Sequence, residues 1–245
     1  MTDRRATVGV SLKMYFGHAQ TLAWCAEVAR VAREHDGVDV FVIPDFVSIV
    51  DAVRVFDGSG VTVGAQALSW DDAGALTGEV SGSVLAEVGV GVVEVGHAER
   101  RRIFGETEAI VASKTAAALR NGLAPVLCIG EITEGPADAA ADECLRQLED
   151  ALNGAPAGKV IVAYEPVWAI GAAQPAPTSH IRAVSARLRA AVADWTDRDG
   201  SVVIYGGSAG PGLLTELGDD VDGVFLGRFA HDPAALAAVL QEATR

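Results

Sequence analysis

Cysteine is scarce in this 245-residue chain: Cys25, Cys128 and Cys144 are odd in number, widely spaced and form no C-x-x-C pair. That excludes a disulfide scaffold and fits ordinary thiols kept reduced in the cytosol. Metal-ligand spacing is also missing. Five histidines at 18, 35, 97, 180 and 231 are scattered, so neither a metal nor another cofactor is expected. Positive charge is in deficit, with 19 Lys and Arg against 33 Asp and Glu and a formal net charge of -14. A surface of that sign argues against nucleic acid or an anionic membrane as partner. A small anionic ligand stays compatible, because beyond a Debye length of about 8 Å the distant charge is screened while local donors act in full. No apolar run reaches membrane-spanning length, and the opening Met1-Thr2-Asp3-Arg4-Arg5 leads into no signal-peptide apolar region. The expectation is a cytoplasmic protein.

Half the residues are hydrophobic. Short apolar segments alternate with longer alanine-rich amphipathic ones from end to end. Eight strands are predicted, at Val8–Ser11, Val38–Val42, Val61–Gly64, Gly91–Val95, Ala124–Cys128, Val160–Tyr164, Val202–Tyr205 and Gly223–Leu226. Their near-continuous Val, Ile and Leu character suits strands buried on both faces of a parallel sheet. Helices are predicted at Gln20–Glu34, Thr107–Arg120, Asp138–Leu152, Ser179–Trp195 and Pro233–Thr244. Eight β-then-α units without a break in composition predict an α/β protein with one domain over 1–245, a closed (β/α)8 barrel. A doubly wound sheet fits less well, since no G-x-G-x-x-G follows the first strand.

Barrel sites form where strands end. Strand 1 ends at Ser11-Leu12-Lys13, strand 4 at Gly96-His97, strand 6 at Glu165, strand 7 at Gly206-Gly207-Ser208 and strand 8 at Gly227-Arg228. Singly, each has a plain structural explanation: a solvated lysine, a satisfied histidine, an ion-paired glutamate, a tight turn. Jointly, on one rim, they form a set suited to moving a proton beside a carbonyl. Glu165 would abstract the proton, His97 would polarise the carbonyl oxygen, and Lys13 would stabilise the developing negative charge. The glycine turns would offer backbone N–H groups to a phosphate. After Glu165, Pro166-Val167-Trp168 and Ala169-Ile170-Gly171 have the character of a stiff hinge and a small mobile tip. The segment Gly171–Pro177 is therefore expected to be a lid.

These residues resemble the triosephosphate isomerase family. SLKM at 11–14, GAQ at 64–66, VGHAERR at 95–101, CIGE at 128–131, YEPVWAIG at 164–171 and YGGS at 205–208 fall in family order and at family spacing. The resemblance implies a single TIM barrel and a cofactor-independent sugar-phosphate isomerase. By position it makes Lys13, His97 and Glu165 catalytic and Glu99 an ionic partner in the site. It places Gly171, Ser208, Gly227 and Arg228 around the substrate phosphate. It also implies a homodimer, with the loop Trp70–Glu79 reaching a partner subunit through Thr77.

The departures from the family pattern concern the walls around this trio. Ser11 and Ala67 replace asparagine, Ala98 replaces serine, Arg228 replaces a glycine, and the lid's far hinge reads Gln174-Pro175-Ala176. Ser11 removes a side-chain amide beside Lys13 and opens space at the reacting end of the substrate. With Arg228, it resembles the branch of the family that isomerises tetrulose phosphates. The reaction this implies is L-erythrulose 1-phosphate to D-erythrulose 4-phosphate, in the catabolism of erythritol and related four-carbon sugars. Arg228 is expected either to bind phosphate or to pair with Asp222, Glu99 or Asp232. The alternatives are triosephosphate isomerisation with tolerated substitutions and a non-catalytic phosphate-binding barrel.

Overall fold

The computed structural model describes residues 5–244; Met1 to Arg4 and Arg245 lie outside them. Eight strands form one closed parallel barrel in sequence order: β1 Thr7–Ser11, β2 Asp39–Ile43, β3 Thr62–Ala65, β4 Val92–Val95, β5 Ala124–Ile129, β6 Ile161–Tyr164, β7 Val202–Tyr205 and β8 Gly223–Leu226. Each expected strand is present, with shifts of about one residue at the ends. Closure comes from β1, which pairs with β2 on one side and with β8 on the other.

The period-two alternation of the strands divides the core into two layers. Phe41, Ile43, Val92, Val126, Cys128, Ala163, Ile204 and Phe225 pack inside the barrel. Val8, Val10, Val40, Val42, Val93, Val162 and Val203 instead face the helices. Strands buried on both sides in this way must be apolar at every position, and that requirement produces the unbroken valine-rich runs. Gly9 shows how tightly the lumen is filled. A Cβ there would lie 2.1 Å from the Phe41 ring, so only glycine admits that ring.

Between the strands run α1 His18–Arg33, α2 Ile49–Phe56, α3 Gly82–Glu87, α4 Ala98–Phe104, α5 Glu108–Arg120, α6 Ala137–Leu152, α7 Thr178–Ala193, α8 Leu213–Leu217 and α9 Pro233–Ala243. The five long ones follow the expected segments. The α2, α3, α4 and α8 helices are too short to carry a helical period legible in sequence. Capping fixes several starts: Thr107 accepts from the Ile110 N–H, and Asp232 accepts from the Ala234 N–H with Pro233 opening α9. The loop after β3 stands out from the body, with Thr77 exposed. Its base is tied down by Arg120, which donates to Asp72 and to the Trp70 carbonyl, and by Asn121, which donates to Asp72. Among the described residues no helix is long and apolar enough to cross a membrane.

Candidate active site

At the carboxyl ends of the strands lies a cavity of about 670 Å³. All nine residues singled out above line it: Ser11, Lys13, His97, Glu99, Glu165, Gly171, Ser208, Gly227 and Arg228. They stand at or beyond the ends of five strands, β1, β4, β6, β7 and β8, so the chain has to close the barrel before the site exists.

Lys13 leaves β1 with φ +49°, and Ser208 follows β7 with φ +59°. Among the described residues these are the only non-glycine positions with positive φ, and both are in this cavity. Left-handed backbone at ordinary residues costs about 1–3 kcal/mol and persists where surrounding contacts enforce it. Part of that enforcement comes from Gln66, whose amide donates to the Lys13 carbonyl at 2.6 Å. Gln66 stands in the GAQ segment, but its hold on Lys13 is a side-chain-to-backbone contact across two strands and left no signal in sequence.

His97 caps the N-terminus of α4. The Glu99 N–H donates to its Nδ1 at 3.1 Å, so Nδ1 is unprotonated and the ring proton sits on Nε2. Burial holds this imidazole below its ordinary pKa; Glu94 opposes the shift and Lys13 reinforces it. The neutral Nε2–H lies 3.1 Å from Lys13 Nζ. The two donors stand side by side at the cavity wall, where one carbonyl oxygen can accept from both. Burial also pulls the Lys13 ammonium down, but Glu94, Glu99 and Glu165 outweigh it and hold the pKa above its usual value. The contact to Glu99 Oε2 is 3.0 Å, so the expected ionic partner is within bonding distance.

Glu165 follows β6 and is 8% exposed. Its Oε2 is buried without a hydrogen-bond partner and stands 3.7 Å from His97 Nε2. Burial raises its carboxyl from an ordinary 4.5 to about 7, against the pull of Lys13 and a hydrogen bond from Cys128. An unpaired carboxylate oxygen with that pKa is poised to take and return a proton near neutrality. Gly206 makes room for it, since a Cβ there would fall 2.4 Å from Glu165 Oε1.

Above the carboxylate, Val167–Ala169 form a 3-10 turn. Trp168 Nε1 donates to Glu131 Oε1 at 2.8 Å, and Tyr164 OH and His180 Nε2 meet the same carboxylate. The far end of the segment is held by the Ala176 N–H, which donates to Tyr205 OH at 3.1 Å. Between these anchors the Ser208 hydroxyl reaches the carbonyls of Ala169 and Ala172. The tip residues Gly171, Ala172 and Ala173 thereby roof the cavity.

Arg228 is not paired in any of the ways weighed for it. Asp222 pairs with Arg189, Glu99 with Lys13, and Asp232 caps α9, while the Arg228 guanidinium lies 3.7 Å from where a Gly171 Cβ would stand. It therefore lies between the lid tip and the Gly227 turn. Ser11 lines the cavity, and its hydroxyl donates at 3.0 Å to Oε2 of Glu94, a buried carboxyl group on β4 that the sequence did not single out. The reading of strand ends missed Glu94 because it lies inside the apolar run Val92–Val95, where an interior carboxylate looks like a break in pattern rather than a site.

Comparison with known proteins agrees with this geometry. The family profile described as triosephosphate isomerase matches residues 6–243. The chain is 52% identical over 252 residues to the L-erythrulose-1-phosphate isomerase of Pectobacterium atrosepticum, covering 99% of this chain and 97% of that one. It is 42% identical to the triosephosphate isomerase of Mycobacteroides abscessus, covering 94% and 93%. The crystal structure of triosephosphate isomerase from Bartonella henselae superposes with a TM-score of 0.84 at 26% identity, covering 98% of this chain and all of the other. With strand order, cavity and sequence in agreement, the chain belongs to the triosephosphate isomerase family.

Proposed function

We propose that this protein isomerises L-erythrulose 1-phosphate to D-erythrulose 4-phosphate through an enediolate, using its own side chains for every proton transfer. The observation that carries the reading is the convergence of two donor groups on the cavity wall, His97 Nε2–H and Lys13 Nζ, beside the unpaired oxygen of Glu165. In the proposed sequence Glu165 takes the proton from C3, and the electrons move into the C2 carbonyl, whose oxygen becomes the enediolate oxygen held by His97 and Lys13. Glu165 then returns the proton to C2, while His97 gives its Nε2 proton to the C2 oxygen and takes the C3 hydroxyl proton in exchange, leaving a hydroxyl at C2 and the carbonyl at C3. Renumbered from the other end, the product is D-erythrulose 4-phosphate. The phosphate is untouched; the turns at Ser208 and Gly227, the lid at Gly171 and the Arg228 guanidinium grip it.

The four-carbon substrate is favoured over a triose phosphate because Ser11, with Glu94 behind it, replaces the family asparagine at the reacting end. The high identity to a protein named for L-erythrulose 1-phosphate supports the same choice. The further parts of the proposal are a homodimer joined through the loop at Thr77, a cytoplasmic location suited to three buried thiols, and a role in four-carbon sugar-alcohol catabolism. NMR of the purified protein with L-erythrulose 1-phosphate in D2O tests the chemistry. The expected result is D-erythrulose 4-phosphate carrying solvent deuterium at the newly protonated carbon. Absence of turnover at enzyme concentrations that fully bind the substrate would sink the proposal.

A further inference from the structure

Ser11 and Glu94 come from β1 and β4, with two strands between them around the barrel, so their side chains meet across the lumen. Both are nearly enclosed, at 3% and 5% exposure. The interior layer nearby consists of Ile43, Val92, Cys128 and Ala163. An aliphatic side chain would pack in such a layer without desolvating a carboxyl, which is costly to bury. The charged and titratable groups facing Glu94 are Lys13, His97 and Glu165, and its one close hydrogen bond is the one from Ser11. His97 Nε2 stands 3.9 Å away, beyond hydrogen-bond reach.

Counting protons shows what this carboxylate does to Ser11. A serine hydroxyl has one proton and two lone pairs, and a carboxylate only accepts. Burial pushes the Glu94 carboxyl up, while His97, Lys13 and the bond from Ser11 favour its charged form; with the Ser11 proton committed to that charged form, lone pairs alone turn toward the cavity it lines. A ligand group at that point must therefore donate. An asparagine in the same place would offer a donor and an acceptor and would impose no such rule.

We propose that Glu94 is a positioning residue for substrate choice: it fixes Ser11 as an obligate acceptor for the terminal C4 hydroxyl of a four-carbon ketose phosphate. The inference rests on the four-carbon reading of the site given above. A triose phosphate has no hydroxyl to place there and leaves the enclosed acceptor unpaired, the kind of mismatch that discriminates substrates most strongly.

A double-mutant cycle on the full-length protein tests it, with kcat and KM measured on L-erythrulose 1-phosphate and on a triose phosphate. Glu94→Gln lets the side chain donate to Ser11 and releases the serine proton. The ratio of kcat/KM values, tetrulose over triose, is expected to fall about tenfold or more, chiefly through KM on the tetrulose. In a Ser11→Ala background the same Glu94 change is expected to move that ratio by less than about twofold. An equal loss on both substrates, or an undiminished effect without Ser11, overturns the proposal. If Glu94→Gln fails to fold, Glu94→Met, similar in volume and apolar, takes its place in the cycle. A wild-type protein with no preference for the tetrulose would remove the four-carbon reading itself, a failure visible before any variant is made.

Discussion

In the proposed mechanism Glu165 carries the chemistry, and its burial carries a stability cost. Its carboxyl has a folded-state pKa of about 7 against an ordinary 4.5 because burial disfavours the charge. Between those values the folded state binds more protons than the unfolded one, so this group's contribution falls as pH rises from about 4.5 through about 7. At pH 8 the deficit is about 3 kcal/mol. Glu165→Gln should accordingly cut turnover by about 1000-fold or more while resisting urea better than the parent at pH 8. An unfolding midpoint at pH 8 below that of the parent would contradict the assignment of a strained, charged base. Ser11 belongs to the same scale. Ser11→Asn should shift the ratio of kcat/KM values toward the triose phosphate by about tenfold, and an unmoved ratio would release Ser11 from substrate choice. Lys13, His97 and Glu165 were legible in the sequence because each ends a strand. Glu94 and Gln66 were not, since their importance lies in contacts across the barrel between residues 83 and 53 positions apart.

In the proposed mechanism turnover depends on the segment from Val167 to Ala176 acting as a lid. It is fixed at one end by Trp168 on Glu131 and at the other by the Ala176 N–H on Tyr205 OH. Tyr205→Phe removes the second anchor together with the bond the same hydroxyl donates to the Gly207 carbonyl, and leaves the buried Ala176 N–H unpaired. Orphaning such a group costs about 1–3 kcal/mol, so kcat/KM should fall about fivefold or more. A variant that keeps the parental rate would show that this anchor does not govern closure. The elements themselves were visible in sequence to different degrees. Strands buried on both faces and the long helices announced themselves through composition and period. The short α4 helix was hidden, although its start matters most, because His97 caps it through a contact that needs the folded turn.

At the scale of the whole molecule, the alternation of eight strands and helices predicted the closed barrel, and strand order alone then gathers the rim residues. Assembly lies beyond one chain. The loop carrying Thr77 projects from the body on a base fixed by Arg120 and Asn121, and in the proposed dimer it completes the surroundings of Lys13 in the partner. Sedimentation should give twice the chain mass for the parent, while Thr77→Arg should yield monomers with activity reduced at least tenfold. A parent that sediments as an active monomer would remove the dimer from the account. The central claim is that this barrel performs the family's proton shuttle on a four-carbon substrate. The most direct test is kcat/KM for L-erythrulose 1-phosphate and glyceraldehyde 3-phosphate, measured side by side on the same preparation. The account predicts a clear preference for the tetrulose, at least tenfold; a clear preference for the triose would contradict it.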